Sequence, residues 1–171
     1  MANPSIRLKL DLRTYDEVPF AAHIERVAQK GIKFETLQSL GNTQANHRAL
    51  YELNKACSAD IPGRGAFYDF GRYVTERIER AADDPAGIII ALHDGKWVGM
   101  SASSFWPDQD LVFAEMTGVV RDWRRRGLAT ALKVLALRYA LSKGVSRIFT
   151  IHHADNTAPI ALNRRLGFVD G

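Results

Sequence analysis

An apolar run at residues 111–120, a turn crowded with arginine and a helical run at residues 128–143 follow one another without a gap. This succession constrains the chain more than any other feature. The turn reads Arg121-Asp122-Trp123-Arg124-Arg125-Arg126-Gly127, and Leu128, Ala129 and Thr130 open the helix. A strand that passes through a tight basic turn into a helix presents bare backbone N–H groups, the usual receiver of a phosphate. Gly127 has no Cβ to hold an anion away from the main chain, and Ala129 is the next smallest choice on that side. The helix dipole contributes only about 0.3–1 kcal/mol per anionic group. Charge-assisted hydrogen bonds add about 1.5–3 kcal/mol each, so several acting together suffice for a pyrophosphate. The competing reading of the arginines alone is a solvated loop.

With 171 residues, 46% of them hydrophobic and 25% charged, the chain has the length and balance of one globular domain with a substantial core. The net charge of +4 is mild and partly concentrated in the turn. That points to a local anion site more than to a nucleic-acid surface. The single cysteine, Cys57, excludes an intramolecular disulfide and argues against a zinc site. It sits in a helical pattern and reads as a small buried residue. No leader pattern or membrane-length apolar run is visible, so a cytoplasmic protein without a membrane partner is expected.

Residues 6–12 alternate apolar and polar as a half-buried strand does. Asp16 is placed to cap a helix running to about Lys30, with Gly31 to stop it. A strand at 32–37, a helix at 43–56, a loop at 60–65 and a helix at 69–82 follow. Asp94-Gly95 is a hairpin signal between strands at 87–92 and 97–105. After the basic turn and its helix come a strand at 146–151 and a helix at 156–166 that Gly167 ends. Mixed strands and helices around one sheet give an α/β class.

The turn Arg124-x-x-Gly127-x-Ala129 resembles the pyrophosphate-binding motif of the GCN5-related N-acetyltransferases (GNATs). Asn156, Pro159, Asn163 and Leu166-Gly167-Phe168 resemble that family's later helix and the strand after it. The element order over residues 32–168 fits as well. The resemblance implies a mixed, splayed central sheet flanked by helices, with acetyl-coenzyme A in the split. It implies a primary amine, on a small molecule or a peptide, as acceptor. It places Val119, Val120 and Arg121 at the strand exit beside the pantetheine arm. The pyrophosphate falls to the main chain of Arg124, Arg125, Arg126, Gly127, Leu128, Ala129 and Thr130. Asn156 matches a position near the thioester end, and Asn163 is expected to orient the sulfur.

Acyl transfer needs a neutral amine, although a lysine-like amine with a pKa of about 10.4 is mostly protonated at neutral pH. It also needs a polarised thioester carbonyl and an exit for the thiolate. Glu115, on the strand before the turn, is the first candidate base, against the alternative of a carboxylate with a structural partner. Strand alternation puts Glu115, Thr117 and Val119 on one face and Ala114, Met116 and Gly118 on the other. Gly118 permits a bulge whose N–H groups would polarise the thioester. His152 and His153 would lie near the split. Asn163 stands where many family members carry a tyrosine, and an amide delivers no proton at neutral pH. Phe67, Tyr68 and Tyr73 fall where the family builds its acceptor wall, although core packing is the leading reading for them. Asp60 is a candidate for the acceptor amine or a loop cap.

The family pattern continues past Gly167-Phe168 with two more strands, whereas three residues remain here. Residues 1–31 form a surplus strand and helix ahead of an acetyltransferase domain at 32–171. This layout resembles the second copy of a tandem GNAT protein with a truncated C-terminus. Residues 6–12 are expected to fill the edge left open, within the chain or from a partner, and a homodimer is expected because a bare edge invites association. The alternative to an acetyltransferase is a GNAT-like domain that binds coenzyme A without turnover. A nucleic-acid binder using the arginines is the weakest reading; it would show steep salt dependence.

Overall fold

The computed structural model describes residues 4–171. The alternation at the N-terminus forms strand β1 (Ser5–Asp11), with Leu8 and Leu10 buried and Arg7 and Lys9 exposed. Helix α1 (Ala21–Ala28) starts later than Asp16 suggested. Asp16 instead accepts the Val18 N–H at 2.9 Å and heads a 3-10 turn, Val18–Phe20. Pro19 is the reason, since the residue before a proline is steered away from helical geometry. Strand β2 (Ile32–Thr36) runs into a one-turn helix α2 (Leu37–Leu40), which Thr36 and Ser39 cap reciprocally.

Helix α3 (Gln44–Ser58) is capped by Thr43, and α4 (Phe70–Arg77) by Asp69. The expected helix to residue 82 ends at Arg77 because Ile78 leaves helical geometry at φ −128°. Arg80 then binds Asp83, and strand β3 (Asp83–His93) begins four residues ahead of the apolar run. Asp94 (φ 47°) and Gly95 (φ 75°) turn the chain into β4 (Lys96–Trp106) with the paired positive φ of a tight hairpin. Strand β5 (Leu111–Val119), helix α5 (Leu128–Ser142), strand β6 (Arg147–His153), helix α6 (Thr157–Arg165) and strand β7 (Val169–Asp170) complete the chain.

These strands form one seven-stranded sheet in the order β2-β3-β4-β5-β6-β1-β7. All neighbours are antiparallel except β5 and β6, whose parallel pairing covers only Leu111–Phe113 against Arg147–Phe149. Thr150 Oγ1 donates to the Ala114 carbonyl at 3.1 Å, and the strands then part. Helix α5 packs with Val27, Ile89 and Val119 on one side of the sheet. Helices α3 and α4 bury Leu50, Tyr51 and Tyr73 against Ile88, Ile90 and Met100 on the other.

Strand β1 lies beside β6 in a seven-residue antiparallel register from Ser5 opposite His153 to Asp11 opposite Arg147. It is covered in turn by β7. The edge beside β6 is therefore filled within the chain by β1, while β7 covers only Leu8 and Lys9 of the new edge. Among the described residues, no helix is long and apolar enough to cross a membrane.

Candidate active site

The basic turn sits where β5 leaves the sheet and α5 begins, at the mouth of the split between β5 and β6. Arg125 (φ 62°) and Gly127 (φ 85°) are both left-handed. Such alternation curls successive N–H groups toward one point, as in backbone anion nests. For Arg125, with a Cβ, this conformation is strained, and strain of this kind gathers at ligand sites. The N–H groups from Arg125 to Thr130 have no backbone partner among the described residues. Gly127 is needed for its backbone conformation more than for open space: an added Cβ would meet Val27 Cγ2 at 3.4 Å, a tight contact with α1.

The arginine side chains divide into two groups. Arg121 Nη2 and Arg124 Nη1 donate to the carboxylate of Asp60 at 2.6 and 2.8 Å, clamping the turn to the loop after α3. Asp60 is thus neither a loop cap nor free for an acceptor amine. Arg124 Nε also holds the Val119 carbonyl at 3.0 Å. Val120 has both backbone groups engaged, its N–H with Val98 and its carbonyl with Trp123, and offers the split no main-chain group. Arg126 stays exposed, its guanidinium 4.5 Å from the Trp123 ring centre.

Strand β5 carries a bulge. Met116 pairs with Ala102 and Ala114 with Ser103, so Glu115 has no partner across β4. Gly118 is not the cause. A Cβ there would lie 2.6 Å from the Cβ of Cys57, so this glycine lets α3 pack closely on β5. Cys57 is buried as expected, and burial pushes its thiol up to about 12. The bulge also overturns the alternation read from the sequence, because it sends two successive side chains to one side. Ala114 and Val119 lie toward α5, and Met116 and Gly118 lie toward α3 with Glu115 beside them.

Glu115 is almost enclosed. Its Oε1 accepts from Arg80 Nη2 at 2.8 Å and Ser104 Oγ at 2.6 Å, and its Oε2 accepts from Arg77 Nη1 at 3.0 Å. One acceptor position remains on Oε2 by count of lone pairs. Glu115 lines a cavity of about 50 Å³ between β5, α3 and α4, which Asn54, Arg64, Tyr68, Tyr73 and Arg77 also line. The three aromatics pack mainly as core, as the sequence favoured. Tyr73 is core, its hydroxyl receiving Asn54 Nδ2 at 2.9 Å. Phe67 packs at 5.5 Å from Tyr51, and the Tyr68 hydroxyl receives Arg77 Nη2 at 2.7 Å.

The α6 wall is built from Asn156, Asn163 and His152. Asn156 precedes α6 and makes no side-chain cap bond. Asn163 is 0% exposed; its Nδ2 donates to His152 Nε2 at 2.7 Å, while its Oδ1 has no partner among the described residues. Burial, reinforced by nearby Lys133, lowers His152 to about 4, so it is neutral at pH 7. Lys133, on α5, is 4% exposed, and burial lowers it to about 8. Sequence reasoning passed over Lys133, although a cation inside the apolar run Ala131-Leu132-Lys133-Val134-Leu135 was a visible signal. It also missed Arg64, and Arg77 and Arg80, whose contacts reach Glu115 on β5 from far along the chain and leave no local signal.

Residues 47–168 match the model of the acetyltransferase (GNAT) family. Over 117 residues the chain is 30% identical to the mycothiol acetyltransferase of Streptomyces coelicolor, a match spanning 68% of this chain and 37% of that relative. The chain spans less than half the length of the curated relatives it matches most strongly. A GCN5-related N-acetyltransferase from Sphaerobacter thermophilus shares the fold at a TM-score of 0.68 and 21% identity, over 98% of this chain and 48% of that one. A tandem GNAT protein from the clavulanic acid biosynthesis pathway does so at 0.67 and 23%, over 99% and 51%.

Proposed function

The chain belongs to the acetyltransferase (GNAT) family, and on that premise we propose that it transfers an acetyl group from acetyl-coenzyme A directly to the primary amine of a small-molecule or peptide acceptor. The row of open N–H groups from Arg125 to Thr130 carries this reading, because it stands at the head of α5 where β5 and β6 part. The groups fit a diphosphate: several donors converge, the helix N-terminus favours an anion, and no carboxylate shares the turn except Asp122. The half-length matches to mycothiol acetyltransferases and to a tandem protein support the resemblance to one copy of such a pair.

Acetyl-coenzyme A, when bound, supplies an acyl carbon activated as a thioester. The amine nitrogen bonds to that carbon, the carbon–sulfur bond breaks, and the ammonium gives up its protons. In this reading Glu115 receives the acceptor through the open position on Oε2 and takes the first proton, directly or through one water. Arg77, Arg80 and Ser104 fix the carboxylate in place. Glu115 has no register partner on β4, and in this reading the backbone at the bulge polarises the thioester oxygen. Asn163, bonded to the His152 ring, orients the sulfur end of the coenzyme, and the thiolate departs without a dedicated acid. Holding both reactants in one complex supplies much of the rate.

Thiol release with a panel of amines tests this. Acetylated product and release dependent on Glu115 are expected. Saturable coenzyme binding without turnover of any amine would favour the non-catalytic reading, to which the buried Asn163 in place of a tyrosine lends itself.

A further inference from the structure

The cluster around Glu115 joins three guanidinium groups, Arg64, Arg77 and Arg80, to two carboxylates, Glu115 and Asp83. Arg77 pairs with Glu115, and Arg80 pairs with both Glu115 and Asp83. Arg64 lines the same cavity but makes no ion pair among the described residues. Its Nε is buried without a hydrogen-bond partner, and its Cζ sits 4.6 Å from the Phe67 ring centre. Arg77 is close enough to repel it. A buried donor left unsatisfied costs about 1–3 kcal/mol, and more when charged. A guanidinium without an ion-pair partner, lining a cavity beside a second guanidinium, marks where a ligand carboxylate belongs.

We propose that the acceptor amine carries a carboxylate, which Arg64 receives while the ammonium meets Glu115. This rests on the acetyltransferase reading and names its substrate class: a small zwitterion with amine and carboxylate a few bonds apart, as in a free amino acid. The guanidinium fork matches a planar carboxylate with two parallel hydrogen bonds. One unpaired cation balances one negative charge, so a carboxylate suits it better than a doubly charged phosphate. The volume of about 50 Å³ admits a head group of a few atoms. Asn54 and Tyr68 stand on the same wall to complete its hydrogen bonding.

Matched acceptors decide the matter: L-alanine, L-leucine and L-phenylalanine against their carboxamides, and ethanolamine against O-phosphoethanolamine. Thiol release should favour each acid over its amide by about tenfold or more in kcat/KM, since a site built to bond a group rejects analogues lacking it. Arg64→Met should erase that preference and leave coenzyme A affinity unchanged; Arg64→Lys should keep part of it. Amides that equal the acids, a preference that survives Arg64→Met, or a phosphoamine that outruns every carboxylate would each overturn the proposal. If no amine is turned over, the activity reading fails by itself. Calorimetry of the same amino acids into the coenzyme-saturated protein then decides: Arg64-dependent binding supports the carboxylate site, and absence of binding refutes it.

Discussion

The two halves of the candidate site are made of different material. The half we propose for the coenzyme is backbone: N–H groups from Arg125 to Thr130, aimed by two left-handed residues and the start of α5. The acceptor half is side chain: Glu115 in a bulge, ringed by Arg77, Arg80 and Ser104, with Arg64 unpaired across the cavity. A main-chain site depends on conformation and tolerates exchange of its side chains. A side-chain site depends on each partner and changes specificity when one is replaced.

The frame that both halves share gives the largest expected effect. We propose residues 1–31 as the segment that completes the sheet of residues 32–171. Leu8, Leu10 and Leu12 are all buried, at 4% exposure or less. At about 1.5–3 kcal/mol each, they contribute about as much as the whole net stability of a domain. Deleting residues 1–13 should abolish soluble folding, as circular dichroism and size-exclusion chromatography would show. A truncated protein that stays folded at the same mass would mean that β1 is dispensable.

Gly127→Glu attacks the backbone half alone. The side chain is strained at φ 85° and its charge repels a diphosphate. Loss of two charge-assisted bonds at about 1.5–3 kcal/mol each weakens coenzyme A by about a hundredfold or more. Unchanged affinity in a folded variant would break the contrast. Glu115→Gln attacks the other half. Turnover should fall by about a hundredfold, in the range of general-base loss, while coenzyme A affinity holds. If both fall together, the halves are not separable.

How far each half was legible follows from where its information lies. The strand, turn and helix from β5 to α5 are contiguous, so residues 111–143 announced them, with boundaries close to those observed. The hairpin at Asp94-Gly95 was equally local. The bulge at Glu115 was not, because alternation continues on paper through a position where the chain inserts one unpaired residue. Nor was the ring around Glu115, since Arg77 and Arg80 reach it from 38 and 35 residues away. The end of α4 was missed although its cause is local: the 78–82 pattern is helical, but the Arg80–Asp83 pair three residues apart accompanies the turn into β3.

Lys133 sharpens the comparison least in activity but clearly in stability. Burial lowers its folded pKa to about 8 from the ordinary 10.5. Between those values the unfolded chain binds more protons than the folded one, so stability should rise with pH across that window, by about 3 kcal/mol in all. Lys133→Met should remove the rise and stabilise the protein at pH 7 by about 1–3 kcal/mol in urea titrations. Destabilisation would reveal a stabilising partner for the ammonium.

The central claim is that main-chain N–H groups bind the diphosphate of coenzyme A. Calorimetric titration of the protein with coenzyme A and with pantetheine, which lacks the diphosphate, tests it most directly. The account predicts saturable coenzyme A binding and pantetheine weaker by about a hundredfold or more, the worth of two or more such bonds. Equal affinity for the two would contradict it.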